Sequence, residues 1–501
     1  MGREEQGRRQ GSEGENARRR RRAAAVLFAA AALGAACGSG PAPERPNLIF
    51  LTVDTLRADH MRRYGYARDT MPSIEALAER AVTFDNAVVP RGITRPSYAS
   101  MLTGLYPYRH GVRSNFHVLH EDLETLAERL RAAGYHTAGF VSNATLLGES
   151  SGMAQGFDVY DDRLEEREAG RQNFERSAPH SLAAILAWLE AGPRTPFFLF
   201  TNFIDPHGPY TPPESFRERF RSEQTRLLDP SEVRSYQRVG DSLDFYDYVD
   251  RYDGEIRYAD EALGILLHEL ERRGFLRDAL VVFTADHGES MGEHRVYFEH
   301  HSHVWEETTR VPLIVRLPRE EGVAARRVAA LASPMDLPQT VLDLLGLDAD
   351  GDFDGRSLLP LVRGESGGSE RDLLLEFPHG SALQPGFPDV FALRTRDAKL
   401  IWALDPQSRM LRMQLLYDVQ RDPLEQQPLP TPEDDPLLRE LARRLRARVA
   451  ELDAHELPFP VTEQRLPTDE LEAQTRQGDP RAVEILTPAQ AERLRSLGYA
   501  R

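Results

Sequence analysis

Thr94-Arg-Pro-Ser-Tyr-Ala-Ser-Met-Leu-Thr-Gly104 reads as a helix that opens on a hydroxyl and closes on a glycine. Thr94 has the character of a cap, Pro96 suits the first turn, and Ser97 is a second capping group. Its flanks give it meaning. Upstream, the apolar run Asn47-Leu-Ile-Phe-Leu-Thr-Val53 delivers Asp54; downstream, Leu280-Val-Val-Phe-Thr-Ala285 delivers Asp286 and His287. Continuous apolar runs of this length are strands of a parallel sheet buried on both faces. In such sheets ligands and chemistry collect at the carboxyl edge. Carboxylates and an imidazole at two strand ends, with a hydroxyl at a helix start between them, imply a metal-activated nucleophile. The expected ligands are Asp54, Thr94, Asp286 and His287, and Thr94 is also the expected nucleophile.

The chain has 501 residues, room for one large α/β domain and a smaller one. A net charge of −17 argues against nucleic acid as a partner, because phosphate backbones call for basic surface. Cys37 is the single cysteine, so no disulfide forms within the chain. It follows a basic block (Arg18 to Arg22), an apolar stretch (Ala23 to Ala36) and a Gly-Ala-Ala tripeptide, the order of an export signal. The apolar stretch is too short to span a bilayer. A cysteine at that point resembles a bacterial lipoprotein signal. It implies an exported, periplasmic or cell-envelope protein with a lipid anchor on Cys37, although Gly34 departs from the usual pattern. A plain cleaved signal is the alternative.

Strands and helices alternate after the linker Ser39 to Pro46. Helical spacing runs over Met71 to Arg80, Asp122 to Ala133 and Asp253 to Arg273; strands are expected at His136 to Val141, Phe197 to Phe203 and Leu280 to Ala285. This is an α/β fold, a mostly parallel sheet covered by helices on both faces. Beyond residue 370 the pattern changes to four short strands, Leu373 to Phe377, Phe391 to Arg394, Lys399 to Ala403 and Gln414 to Tyr417, then a helix over Leu437 to Leu452. The expected divisions are a signal and linker (1–44), a catalytic domain (45–370), an antiparallel-sheet subdomain (371–460), and an acidic linker with a terminal helix from Thr487 to Tyr499 (461–501).

Histidines supply further candidates. His207, in Asp205-Pro-His-Gly-Pro-Tyr, follows a strand of the same sheet, and the run Glu299-His-His-Ser-His303 lies shortly after Asp286. Clustered histidines favour metal or phosphate contact, with a solvated loop as the alternative. Glu293 and His294 are weaker candidates.

These residues together resemble the sulfatase family of the alkaline-phosphatase superfamily over most of residues 46–425. The matching motifs are the first strand with Asp54, Thr94 to Gly104 followed by Leu105-Tyr-Pro-Tyr-Arg-His-Gly111, Thr137 to Asn143 with Gly156-Phe-Asp158, and Asp205-Pro-His207. Phe283-Thr-Ala-Asp-His-Gly-Glu, Val304-Trp-Glu-Glu-Thr-Thr-Arg-Val-Pro-Leu-Ile, and Leu416-Tyr-Asp418 with Asp422-Pro-Leu-Glu425 complete the set.

The departures bear on the chemistry. Sulfatases carry Cys or Ser, converted to formylglycine, where this chain has Thr94, and an arginine where it has Tyr98. The second aspartate of the family's pair is Thr55, the usual asparagine is His287, and the Gly-Lys-Trp-His segment is absent. The resemblance thus implies a metal-dependent ester hydrolase with Thr94 as nucleophile. Its oxygen-and-nitrogen ligand set favours zinc or manganese over calcium. A threonine ester has to be cleaved by water at the central atom, which favours phosphate mono- or diesters over sulfate esters. His207 or His301 is expected to protonate the leaving oxygen, and Arg95, Arg109 or His110 to contact the remaining oxygens. A second metal on Asp205, His207 and His301 is a further expectation. Rivals are a sulfuric ester hydrolase, a phosphoryl-group transferase on envelope lipids or glycans, and a non-catalytic metal-binding envelope protein. The substrate is a small-molecule, glycan or lipid ester, and Arg217 to Tyr248 is a candidate lid.

Overall fold

A computed structural model describes residues 45–464, apart from 165, 168–173, 235–236, 301–302, 349–350, 366–369 and 378–387. The signal segment with Cys37, His301 and the Thr487 to Tyr499 helix lie outside the described residues.

The large sheet has eight strands: β1 (Asn47–Val53), β2 (Val82–Val88), β3 (His136–Phe140), β4 (Val159–Asp161), β5 (Phe197–Phe203), β6 (Ala279–Ala285), β7 (Arg310–Arg316) and β8 (Arg326–Ala332), in the order β8-β2-β7-β6-β1-β5-β3-β4. Only β7 runs against the others. The three central strands, β6, β1 and β5, are almost wholly buried, as their unbroken apolar sequences require. Their register sets the site. Val53 lies opposite both Phe203 and Ala285, so the residues after all three strands emerge on one edge.

Principal helices are α1 (Pro72–Ala78), α2 (Thr94–Thr103), α3 (Leu126–Ala132), α4 (Ala178–Glu190), α5 (Phe245–Arg272), α6 (Leu337–Leu345) and α7 (Pro436–Ala454). Two differ from the sequence expectation at their starts. The segment expected from Asp122 begins at Leu126, because Thr125 and Glu128 form a capping box. The helix expected from Asp253 begins eight residues earlier, capped by Asp244. Tyr248, Asp250 and Tyr252 of that first part are buried polar or aromatic residues, which hides the apolar stripe.

The second sheet is antiparallel: β9 (Leu373–Phe377), β10 (Asp389–Arg394), β11 (Ala398–Leu404) and β12 (Leu411–Asp418), in that order. Helix α7 buries Leu438, Leu441, Leu445, Val449 and Leu452 against it, a stripe with helical period. Buried charges tie this sheet to the large one. Arg394 and Lys399 both donate to Glu306, which precedes β7, and Lys399 also reaches Glu425. Lys399, the only lysine in the chain, is 0% exposed. No helix among the described residues is long and apolar enough to cross a membrane.

Candidate metal and nucleophile site

Asp54 extends the ladder past β1 by donating its N–H to Phe203 O (2.8 Å), which fixes its side chain at the sheet edge beside Asp286. The next residue, Thr55, takes a left-handed φ of 54°, a conformation that costs about 1–3 kcal/mol for a β-branched residue. Three bonds hold it: Thr55 N donates to Asp286 Oδ1 (3.2 Å), and Tyr252 O–H donates to Thr55 O (2.6 Å) while accepting from Arg57 N (3.0 Å). After β6, a Cβ on Gly288 would meet Glu307 O at 2.1 Å, so only glycine lets the chain turn there behind His287.

Ligand-type atoms of Asp54, Asp286 and His287 lie within 4.8 Å of one another, and all three residues are fully buried. His287 Nδ1 donates to Gly288 O (2.9 Å), so Nε2 keeps its lone pair. That Nε2 stands 3.3 Å from Asp286 Oδ2, 3.8 Å from Asp54 Oδ1 and 3.3 Å from Thr94 Oγ1. The outer carboxylate oxygens are satisfied: Asp54 Oδ2 accepts from Asn143 Nδ2 (2.6 Å), and Asp286 Oδ1 from Thr55 N and His287 N. The inner ones, Asp54 Oδ1 and Asp286 Oδ2, have no hydrogen-bond partner among the described residues.

Two buried carboxylates at this separation repel by about 3 kcal/mol at an effective dielectric constant of about 20. Burial, then the Asp286 charge, pushes Asp54 up to about 8. Burial pushes Asp286 up to about 7 and the His287 imidazole down. Two inward oxygens and one inward nitrogen without a neutralising side chain form the donor set of a divalent cation. Thr94 Oγ1 faces the same space.

Helix α2 carries Thr94 and is buried along its whole length. The capping expectation is corrected here. Ile93 is the N-cap, with no side-chain cap, because both hydroxyls are used across the sheet edge. Ser97 Oγ donates to Asp286 O (2.6 Å), and Thr94 Oγ1 turns to His287. Tyr98 O–H lies 2.6 Å from Thr52 Oγ1 and accepts from Asn202 Nδ2 (2.9 Å), docking the helix on β1 and β5.

Among the histidines, His207 is half-buried after the cis peptide bond at Pro206, and its ring lies 5.5 Å from that of His300. His300 is buried, with its ring centroid 4.3 Å from that of His287. His301, the residue of this run expected to act, lies outside the described residues; the described residue that the structure brings beside His287 is His300. Asn143 was missed as well, although its place after β3, a third parallel strand, was a usable signal. His303 instead packs on Ser290 (2.8 Å), Glu293 pairs with Arg57, and His294 bridges Glu307 and Glu425 O. Asp205 accepts from Ala178 N at the head of α4 and lies against Glu255.

The three residues expected to hold substrate oxygens have other partners. Arg95 is buried and donates to the carbonyls of Thr145, His117 and Ser150. Arg109 is held by Asp352 and Asp354. His110 is fully buried, accepts from Val112 N and lies 3.0 Å from Ser100 Oγ; burial pushes it down to about 3, so it packs as a neutral ring.

Strand-end carboxylates, an imidazole and a helix-borne hydroxyl around one unneutralised space fit a hydrolase of ester bonds with a candidate metal site. The chain belongs to the sulfatase family: the model of the Sulfatase family matches residues 46–347, and that of the N-sulphoglucosamine sulphohydrolase C-terminal region matches residues 292–455. It is 27% identical over 448 residues to an ulvan-active sulfatase of Formosa agariphila, covering 82% of each chain. It is also 27% identical to a choline-sulfatase of Rhizobium meliloti, covering 76% of this chain and 81% of that one. The fold superposes on the phosphonate monoester hydrolase of Agrobacterium radiobacter with a TM-score of 0.65 at 19% identity, over 84% of this chain and all of the other.

Proposed function

We propose that the chain is a divalent-metal ester hydrolase that uses Thr94 as nucleophile and prefers phosphate mono- or diesters. The carrying observation is that Thr94 Oγ1 lies 3.3 Å from His287 Nε2, facing the unneutralised oxygens of Asp54 and Asp286. A threonine side chain does not become an aldehyde, and Tyr98, in place of the family's arginine, is occupied in docking its helix. The covalent adduct is then a threonyl ester, which water releases by attack at the central atom, an in-line displacement suited to phosphorus.

Asp54, Asp286 and His287 would hold the metal, zinc or manganese by donor type, which would supply Lewis acidity and favour ionisation of the Thr94 hydroxyl, its proton passing to solvent. Thr94 Oγ1 attacks phosphorus as the bond to the leaving oxygen breaks. A proton from His207 or His300 goes to that oxygen. Asn143 holds the Asp54 carboxylate, and Gly288 O holds the His287 tautomer, so the constellation is set before substrate arrives.

The second reading, sulfate-ester hydrolysis, is favoured by the family model and by the two sulfatase relatives. The order of residues in 18–37 supports an exported enzyme. The deciding experiment is to purify the chain from about residue 45, measure bound metal, and compare aryl phosphate mono- and diesters with an aryl sulfate. Zinc or manganese with phosphoesterase turnover supports the proposal; calcium with turnover of the sulfate alone overturns it.

A further inference from the structure

Gln237 belongs to the charged insertion Arg217 to Tyr248 and is 1% exposed. Its contacts fix its place. A Cβ on Gly208 would meet Gln237 Oε1 at 2.0 Å and Nε2 at 3.0 Å, so the carboxamide lies against Gly208, the residue after His207. Gln237 N donates to Arg234 O (2.9 Å), and Arg234 pairs with Glu299 (2.7 Å), the residue before His300. Val233 bridges to Tyr297 in the same short strand, Tyr297–Glu299. Gln237 is thus held both at the turn that carries His207 and near the strand that delivers His300, and those two rings are 5.5 Å apart. The His300 ring is in turn 4.3 Å from that of His287.

Both polar atoms of that carboxamide, Oε1 and Nε2, are buried and without a hydrogen-bond partner among the described residues. The carboxamides at the sheet edge differ. Asn143 donates to Asp54 and accepts from Thr145 N, and Asn202 donates to Tyr98 and accepts from Ser142 N. Those two serve the structure. Burying a carboxamide with its donors and lone pairs all open is unfavourable unless a partner arrives. Glycine at 208 is what admits the group to this turn, because any side chain there would displace it. His207 is half-buried, so this corner of the site reaches solvent.

We infer that Gln237 is a specificity-determining residue that binds an amide carried by the leaving group of the substrate. A carboxamide presents an acceptor and a donor side by side, and a second amide is its two-point complement: Oε1 accepts from the ligand N–H while Nε2 donates to the ligand carbonyl. A charged group would give up its water for an uncharged partner, which disfavours it here. The substrate class is therefore an ester of an alcohol that bears an amide, rather than of a plain aryl or alkyl alcohol. This deepens the reading above and rests on it in one respect, that His207 or His300 serves the leaving oxygen.

The test uses ligands with no ester bond, so it does not depend on the nucleophile. Ortho, meta and para carbamoyl benzylphosphonates, and isopropenyl counterparts of the same shape, are titrated calorimetrically into the metal-loaded enzyme, together with the matching sulfonates. The wild type is expected to bind one or more carbamoyl members at least about tenfold more tightly than their counterparts. Gln237→Met keeps the length of the side chain and removes only unpartnered atoms. It is expected to bring that ratio close to one with a melting temperature equal to or above the wild type's. A glutamine kept for packing alone would leave the ratio unchanged. Ratios near one throughout in the wild type, or an undiminished ratio in Gln237→Met, overturn the inference. Binding of neither oxyanion overturns the site reading and the inference with it, an outcome distinct from equal binding. If Gln237→Met fails to fold or melts lower, loss of the ratio in Gly208→Ala, whose methyl displaces the carboxamide, supports the inference and its retention there refutes it.

Discussion

Glu289 and His300 form a buried pair, with Oε1 of the carboxylate 3.1 Å from Nδ1 of the imidazole. Tyr210 O–H donates to the other carboxylate oxygen (3.0 Å), and Arg57 Nη1 to the Glu289 carbonyl (3.0 Å). The carboxylate thus sets the orientation of a ring lying 4.3 Å from His287 and leaves Nε2 as its basic nitrogen. Glu289→Gln is expected to lower kcat by about 10- to 100-fold with little change in thermal stability. Steady-state kinetics check this, and wild-type kcat in the variant would reduce His300 to a packing ring.

Thr94→Ala is expected to lose at least about a thousandfold in kcat, while Thr94→Ser keeps measurable turnover. Acid quenching during turnover, followed by peptide mass spectrometry, should find the transferred group on Thr94 alone. A Thr94→Ala enzyme as active as the wild type would falsify the nucleophile assignment.

Removing the metal exposes the repulsion between Asp54 and Asp286. Both carboxyls are raised in the fold, to about 8 and about 7, whereas the unfolded chain releases these protons near pH 4. Between those limits the unfolded state binds fewer protons, so the metal-free protein loses stability as pH rises from about 4 to about 8. The loss is up to about 1.4 kcal/mol per pH unit for each group. Urea unfolding in a chelator at pH 5 to 8 should show this slope, with zinc or manganese abolishing it and Asp54→Asn reducing it. A flat profile in the chelator contradicts the prediction.

His110 acts at the acid side with the opposite sign. Its folded-state value is depressed to about 3 against about 6.5 unfolded, so below pH 6.5 the unfolded chain takes up a proton that the native one refuses. Stability therefore falls as pH drops from about 6.5 towards 3. His110→Asn, whose Oδ1 can accept from Val112 N, should lose about one proton from that slope.

The central sheet was legible because strands buried on both faces leave unbroken apolar runs, and Phe197–Phe203 was read to the residue. Asp54, Asp286 and His287 were legible because they end such runs, and Thr94 because it opens a helix between them. Side-chain direction was not. Arg95 and His110 both follow Thr94 within the same motif, yet one turns to three carbonyls and the other into the core. Nothing in the run Glu299 to His303 marks His300 out until the backbone is seen to turn its ring onto His287. The early start of α5 was hidden because buried tyrosines and acids replace its apolar stripe.

Lys399 gives the seam between the two sheets a built-in reporter. Because the chain has no other lysine and this one is 0% exposed, the folded protein offers an amine-reactive dye only its α-amino group. Covalent labelling of Lys399 then requires the Glu306 and Glu425 contacts to part, so the labelling rate counts openings of the seam without any engineered probe.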